Sequence, residues 1–498
     1  MAGSALPSWD TPTHSRDSIL GGIFVAALLG ASSVFAFAPF SYSALWLLVF
    51  AGLAWLWQRA GSGRRAFALG YVFGLAQFGL GVSWVHISMH RFGGASLSES
   101  IFLTVLFVSF LALYPALVAW AYARLRRGFA LPLLPVLFAL LWWGGEALRS
   151  QLFTGFPWLL AGVAQVDGPW NPWLAWVGAP ITGALLALIG AALGILLATS
   201  VRVPPASSLF VRQKAHVRWP LWVLGPFLAL ISVIPGLLPQ IFAEKSIEVG
   251  ENRKIVVRLL QYGIVQDQKW EDSQRLATLA WYREQTVRPG ADLVLWPETA
   301  VPAFASNVSN YLHEIQTINQ SNGSATLLGI VRDEADGYTN SIMGFGRASG
   351  HYDKRHLVPF GEYLPLKSVF SPVLEILNIP MSDFTAGIDE QDGIRFDGRK
   401  VGASVCYEVA YPSLVEQGTA GFLVTVSNDA WFGDSWAADQ HLQIARARAA
   451  EHGLPMLRAT NSGITAVIGP RGEVLARLPQ NVPGVLEWEL ALPATGLN

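Results

Sequence analysis

Residues 402–412 read GASVCYEVAYP and hold Cys406, the only cysteine among 498 residues. One thiol cannot close a disulfide within its own chain, so it is either chemical or merely steric. It ends an alternating apolar run, residues 400–405, that predicts a strand. It opens residues 407–417, whose pattern predicts a short helix. At a strand-to-helix corner the backbone N–H groups of the helix start lower a thiol's pKa and can later hold an oxyanion. The alternative is an inert core cysteine, since free cysteine is among the most buried residue types.

The rest of the chain is divided by composition. Length alone suggests about three domains at roughly 150 residues each. The chain is 52% hydrophobic and only 14% charged, with 20 tryptophans, which is too apolar for an ordinary soluble protein. The excess lies almost wholly before residue 243. A net charge of −1 offers no basic face and argues against a nucleic-acid partner.

Seven apolar runs approach the roughly 20 residues that a helix needs to cross a bilayer core: 19–37, 41–57, 66–85, 101–123, 129–148, 173–198 and 219–242. The loops after the second, fourth and sixth carry ten Lys and Arg residues, against Arg91 and Arg149 in the opposite loops. That bias puts residues 1–18 in the cytoplasm as an N-terminal segment, makes 19–242 a membrane domain of seven spans, and delivers 243–498 to the far side. The first run has no small-residue cleavage site after it, so it is not read as a removable signal peptide. On the outer rim stand Ser83 to His90 and the loop Gly155, Phe156, Pro157, Trp158. His86 and His90 have the i, i+4 spacing of two metal ligands without a third nearby; interfacial polar residues are the plainer reading. Glu146 and Arg149, one turn apart, read as an interfacial ion pair, with a functional role as the alternative, because intramembrane charge is expensive.

Beyond residue 244, strand-like runs (253–261, 291–296, 325–331, 341–346, 400–405, 422–427, 455–459, 464–468, 485–490) alternate with helical ones (269–287, 303–318, 437–451), which predicts an α/β domain with layered sheets. Polar residues collect at the strand ends. Glu298 stands in WPETA, Lys354 and Glu362 in HYDKRHLVPFGEY, and Cys406 closes its own strand. Singly, each has a bland reading as a helix cap, a solvated lysine or a core thiol. Together they supply a base to take a thiol proton, a cation for a tetrahedral oxyanion and a nucleophile.

WPETA, DKRHLVPFGEY, SVCYE and residues 428–472, NDAWFGDSWAADQHLQIARARAAEHGLPMLRATNSGITAVIGPRG, resemble the nitrilase (carbon–nitrogen hydrolase) superfamily. With the preceding apolar runs and the rim segments SWV and GFPW, the chain most resembles the bacterial apolipoprotein N-acyltransferases. The resemblance implies an αββα sandwich seated on a multi-pass α-helical membrane bundle in the bacterial inner membrane, facing the periplasm. It implies that Glu298 is the general base, Lys354 the oxyanion cation and Cys406 the acyl-carrying nucleophile. Glu362 would support the site, Tyr407 and Glu408 would wall the thiol, and Trp270 and Trp431 would contact substrate. No cofactor and no metal are implied. The partners implied are a membrane phospholipid as acyl donor, the diacylglyceryl cysteine of an apolipoprotein as acceptor, and the lipid bilayer itself. Family members close with an eighth membrane helix, whereas this sequence stops at Asn498. The alternatives are a membrane-tethered amidase that gives its acyl group to water, and a transporter or scaffold with a dead nitrilase-like domain. Residues 359–365 and 432–436 are marked by glycine or proline and are candidate moving loops.

Overall fold

A computed structural model describes residues 16–200, 253–334, 337–359, 361–363, 384–415 and 418–492. Six of the seven apolar runs are helical; the seventh, 219–242, lies outside the described residues. The helices are α1 (Arg16–Val34), α2 (Leu45–Arg59), α3 (Gly63–Gly81), α4 (Val85–Arg91), α5 (Leu97–Leu125), α6 (Leu134–Arg149) and α7 (Asn171–Ser200). Among the described residues, three helical stretches are long and apolar enough to cross a membrane, Leu97–Gly128, Leu131–Arg149 and Asn171–Thr199, and α3 with α4 makes a fourth if that bent pair is one span. The outward sides of these helices are apolar rather than charged: Leu48, Phe102, Val105, Leu106 and Leu140 are all more than half exposed. A surface of that kind is stable against lipid and not against water.

The third run is not one helix to residue 85. It bends by 52° between α3 and α4. The Val85 N–H turns to the Val82 carbonyl, and the Gly81 carbonyl accepts a bond from Gln440 Nε2 (3.2 Å). Glu146 and Arg149, expected as an ion pair, direct their hydrogen bonds to the rim loop. Arg149 Nη1 donates to the carbonyls of Phe156 and Trp158 (2.6 Å each), and Glu146 Oε1 accepts the Ala161 N–H (3.1 Å). Arg149 thereby ties GFPW, and Glu146 the backbone just after it, to the end of α6. His86 and His90 likewise turn Nδ1 to backbone carbonyls, of Ser83 (2.5 Å) and Ala95 (3.0 Å).

The second half of the chain is built on two sheets. It opens with β1 (Arg253–Gln261), β2 (Leu293–Leu295), β3 (Val301–Phe304), β4 (Ala325–Glu334), β5 (Gly337–Gly346), β6 (Ala348–Ser349) and β7 (His351–Asp353). After these come β8 (Arg395–Phe396), β9 (Arg399–Lys400), β10 (Gly402–Val405), β11 (Leu423–Ser427), β12 (Met456–Thr460), β13 (Ala466–Ile468), β14 (Val474–Arg477) and β15 (Gly484–Leu492). One sheet runs β15-β1-β2-β4-β5-β7 with β3 on β4, the other β10-β11-β12-β13-β14, and β6-β8-β9 form a small third. Side chains alternate between faces along each strand. Ile255, Val257 and Leu259 of β1 therefore pack with Val405, Val424, Val426 and Leu457 of the other sheet in one core. Leu260, Val294 and Trp296 face the other way, onto α8 (Asp272–Val287) and α9 (Ser309–Asn322) through Tyr282, Leu312 and Ile315. The outer face of the second sheet is covered by α10 (Ala437–His452), giving four layers, αββα.

Helix α10 also seats the sandwich on the bundle. Its run of small residues, with Ala437, Ala438, Ala445, Ala447 and Ala449 all fully buried, allows close packing on both sides, and its core is continuous with that of the helices. Polar residues fix the contact. Arg446 pairs with Asp167 (2.7 Å), Gln443 Nε2 donates to the same carboxylate (2.7 Å), and the Ala179 N–H donates to Glu451 (2.6 Å).

In the second half of the chain two elements differ from expectation. The helix predicted over 303–318 begins only at Ser309, because residues 301–304 join β4 as a strand. The described part of the predicted 407–417 helix, residues 407–415, is not α-helical: a single 3₁₀ turn, Cys406–Ala410, gives way to extended backbone at Tyr411, ahead of Pro412. Proline disfavours helical backbone in the residue before it.

Candidate active site

Glu298 is delivered by the end of β2. Pairing continues one residue past the strand, with the Trp296 N–H on the Leu327 carbonyl (2.9 Å), and the chain then turns through Thr299 at φ 48°. This turn lies directly on Gly329 of β4, where an added Cβ would stand 2.3 Å from the Pro297 oxygen and 2.7 Å from Glu298 Cα. Only glycine permits that approach. Glu298 is 6% exposed; Oε1 accepts from Asn340 Nδ2 (2.7 Å), and Oε2 has no hydrogen-bond partner among the described residues. One oxygen is anchored and the other is open to accept a proton.

Lys354 follows β7 and is 1% exposed. Its Nζ donates to Glu362 (2.8 Å) and stands 3.9 Å from Glu298 Oε1. Glu362 also accepts from Asn340 Nδ2 (3.1 Å) and from the Val358 N–H (2.8 Å), so Asn340 bridges the two carboxylates. Burial by itself would discharge the ammonium, but the Glu362 and Glu298 carboxylates outweigh it and hold its pKa above the ordinary lysine value. The cation is permanent.

Cys406 opens the 3₁₀ turn at φ 54°, a left-handed conformation uncommon for residues other than glycine. The thiol is half-buried. The expected lowering of its pKa by a helix start is corrected, since no α-helix begins here. Burial first, and the Glu298 charge second, push the thiol pKa up, while Lys354 works against them. The resting nucleophile is a thiol beside a base, not a preformed thiolate.

Glu408, expected beside the thiol, is instead a brace beneath it. The carboxylate is fully buried and only accepts: from the N–H groups of Val405 (2.7 Å), Arg355 (2.6 Å) and His356 (3.1 Å), and from the Tyr352 hydroxyl (3.1 Å). It ties the residues after Lys354 to the residue before Cys406. Tyr407 faces the bundle, where its hydroxyl donates to the Gly155 carbonyl (3.3 Å) and its ring stacks on Trp158 at 20° between planes. The Tyr411 hydroxyl donates to the same carbonyl (2.9 Å).

A buried cluster behind the thiol was not singled out from the sequence. His441 of α10 donates from Nε2 to the Cys406 carbonyl (3.1 Å), and its Nδ1 lies 2.9 Å from Asp429 Oδ1. Arg458 Nη2 donates to Asp429 Oδ2 (2.7 Å), and Ser427 Oγ to Oδ1 (2.6 Å). Burial raises the Asp429 pKa, but Arg458 and His441 override it and hold the carboxyl well below the usual range. The signal in the sequence is Arg458 between Leu457 and Ala459, a charge on a fully buried strand. Lys269, also buried, donates to the Glu298 carbonyl (3.3 Å), and burial lowers its pKa to about 8.

Glu298, the pair Lys354 and Glu362, and Cys406 are thus brought together from three separate stretches of chain. The two tryptophans are not part of that group. Trp270 is 36% exposed beside Lys269, and Trp431 packs against Phe92 with its carbonyl accepting from Ser88 Oγ (2.7 Å), at the junction with α4.

Comparison with known proteins gives two family matches. The carbon–nitrogen hydrolase family model matches residues 256–497, and the model of the apolipoprotein N-acyltransferase N-terminal domain matches residues 29–192. The apolipoprotein N-acyltransferase of Methylococcus capsulatus is 40% identical over 451 residues, covering 89% of this chain and 85% of that protein. That of Pseudomonas syringae pv. tomato is 37% identical over 478 residues, covering 94% and 90%. Among solved structures, a carbon–nitrogen hydrolase from Helicobacter pylori G27 is 19% identical, covers 48% of this chain and 90% of its own, and superposes with a TM-score of 0.36.

Proposed function

This chain belongs to the apolipoprotein N-acyltransferase family, and from that premise we propose how it works: Cys406 carries a fatty acyl chain as a thioester between a membrane phospholipid and the N-terminal α-amine of a diacylglyceryl apolipoprotein. The enzyme is an acyltransferase of lipoprotein maturation. The observation that carries the mechanism is the meeting of an open Glu298 oxygen, a charged Lys354 and a thiol at a strained corner docked on the rim of an apolar bundle.

In the first half-reaction Glu298 takes the Cys406 proton as sulfur attacks the ester carbonyl of the phospholipid. The oxyanion that forms is neutralised by Lys354, whose charge burial has not removed. The intermediate collapses with cleavage of the C–O bond, and the departing alkoxide recovers the proton from Glu298, leaving a lysophospholipid and the thioester. In the second, the uncharged α-amine attacks the thioester and Glu298 takes the proton lost from nitrogen. Collapse then breaks the C–S bond, the proton returns to sulfur, and an amide is released. An α-amine with a pKa of about 8 is partly neutral near pH 7, so no further activation is needed. Because the resting thiol is protonated, its proton passes to Glu298 as sulfur attacks.

Location follows from the substrate. Lifting a chain of about sixteen carbons from bilayer to water costs on the order of 12 kcal/mol, at about 0.8 kcal/mol per CH₂, so transfer has to occur at the membrane surface. We place residues 19–242 in the bacterial inner membrane as seven spans and the sandwich in the periplasm, on the strength of the ten-to-two Lys and Arg bias. The test is intact-mass analysis after incubation with phospholipid. A hydroxylamine-labile acyl adduct on Cys406 that disappears on adding a diacylglyceryl peptide, with the peptide gaining the chain, is the expected result. Free fatty acid with no acylated peptide would make the protein a hydrolase.

A further inference from the structure

The cluster behind the thiol has no part in the steps above, yet it meets the nucleophile at two points, the Ser427 hydroxyl at the thiol and His441 at the backbone carbonyl. His441 Nε2 faces the Cys406 carbonyl, which can only accept, so that nitrogen carries a proton, whether Nδ1 accepts from Arg458 Nη2 (3.2 Å) or is itself protonated toward Asp429. The other end of the ring is clamped by Asp429, itself held by Arg458 and Ser427. All four side chains are at most 1% exposed. The ring is also wedged sideways, 5.7 Å from Trp158 and 5.8 Å from Phe432 between centroids.

The consequence lies on the far edge of one peptide plane. A trans peptide directs its C=O and its N–H in opposite directions. Fixing the Cys406 carbonyl toward His441 therefore aims the Tyr407 N–H away from α10. Cys406 at φ 54° is a conformation that needs support, because a left-handed non-glycine residue costs of order 1–3 kcal/mol. The hydrogen bond from His441 supplies that support at the carbonyl of the strained residue itself.

We infer that His441, clamped by Asp429 and Arg458, is a positioning residue that fixes the Cys406–Tyr407 peptide, so that the Tyr407 N–H joins Lys354 in stabilising the oxyanion of both half-reactions. This rests on the acyltransferase reading above. It also gives a reason for the buried charges: a carboxylate and a guanidinium hold the ring more stiffly than packing does, and an oxyanion donor is useful only where it is preorganised.

The experiment uses the full-length protein in phospholipid nanodiscs with a diacylglyceryl peptide acceptor. His441→Phe keeps the ring and removes the donor; His441→Gln places an amide N–H near the position of Nε2. Loss of one oxyanion donor costs about 10²–10³ in kcat. His441→Phe is expected to lose about 10²-fold in kcat with KM unchanged and with the rate of Cys406 alkylation by iodoacetamide within about twofold of the parent, since alkylation forms no oxyanion. His441→Gln is expected to recover most of the loss. If His441→Phe does not fold, His441→Asn, whose shorter amide reaches Asp429 and not the Cys406 carbonyl, carries the comparison and must show the same fall. Full kcat in whichever of these folds, a loss confined to KM, or a parallel loss of alkylation would overturn the inference while the parent's Cys406 adduct still stands. Absence of that adduct in the parent would overturn the acyltransferase reading as well.

Discussion

Replacing Glu408 by Gln changes no volume and one atom. The wild-type carboxylate accepts from Arg355 N–H, His356 N–H and the Tyr352 hydroxyl on one oxygen, and from Val405 N–H and the same hydroxyl on the other. A glutamine must put its NH₂ on one side. Facing Arg355 and His356 it would oppose two donors, so the better orientation places it against the Val405 N–H, 2.7 Å away, and orphans one buried donor. That costs about 1–3 kcal/mol, or a melting temperature lower by roughly 2–4 °C per kcal/mol in a domain of about this size. The protein should still fold. Its site should not survive intact, because the orphaned N–H belongs to the residue before Cys406 and the same carboxylate fixes the two residues after Lys354. A misplacement of about 1 Å between reacting groups costs about 10²-fold. Acyl transfer measured in detergent micelles, with melting followed by tryptophan fluorescence, is expected to show a moderate drop in stability and a drop in kcat of that order. Wild-type kcat with a lowered melting temperature would show that the brace does not set the register between Lys354 and Cys406. An unchanged melting temperature would show that the carboxylate is not the acceptor of these bonds.

Three further outcomes follow from the same geometry. The pKa of Cys406 is raised by burial and by Glu298, so iodoacetamide alkylation of the substrate-free enzyme should keep rising with pH beyond pH 9, where an ordinary thiol of pKa about 8.5 levels off; a plateau below that pH would contradict it. Lys269, with a pKa lowered to about 8, binds fewer protons folded than unfolded between about pH 8 and 10, so the wild type should gain stability over Lys269→Met as pH rises through that window, by at most about 1.4 kcal/mol per pH unit; a constant difference in chemical denaturation would refute it. Gly329→Ala puts a methyl group 2.3 Å from the Pro297 oxygen, and should cost about 1–3 kcal/mol and displace Glu298, with activity falling about 10²-fold; an active variant would mean that the turn relaxes freely.

What the sequence disclosed follows the reach of its signals. Period-two alternation in strands such as β1 and β11, and apolar runs such as that of α5, reflect burial of one face or of all faces, and both are local. Glu298, Lys354 and Cys406 were legible because each ends a strand, and strand ends of layered sheets converge. The errors arose where local preference was overruled. Residues 407–410 have a helical pattern, but the buried Glu408 carboxylate binds the Val405 N–H and Pro412 prevents continuation, so the chain makes one turn and leaves. Asp429, His441 and Arg458 were invisible as a group because they come from a loop, a helix and a strand that meet only after both sheets have formed. Asp429 and His441 on their own read as solvated polar residues, and Arg458, a charge set between Leu457 and Ala459, was the one signal among them.

The position of that group bears on why a carbon–nitrogen hydrolase domain is fused to a helical bundle at all. A simple tether would need one anchor and no fixed orientation. Here the contacts run from the membrane rim to the reacting cysteine without a break. Arg149 at the end of α6 holds the Trp158 carbonyl, and the Trp158 indole donates to Gln440 (2.6 Å), which in turn donates to the bend after α3. His441, the next residue, holds the Cys406 carbonyl, while Tyr407 on the other side of that peptide stacks back on Trp158. The rim therefore packs against both flanks of the nucleophile's own peptide group. An amidase acting on a small soluble substrate gains nothing from such a coupling. An enzyme whose donor and acceptor both remain in the bilayer gains a fixed height of the thiol above the lipid surface, since that height decides whether an ester carbonyl can reach sulfur while its acyl chain stays in hydrocarbon.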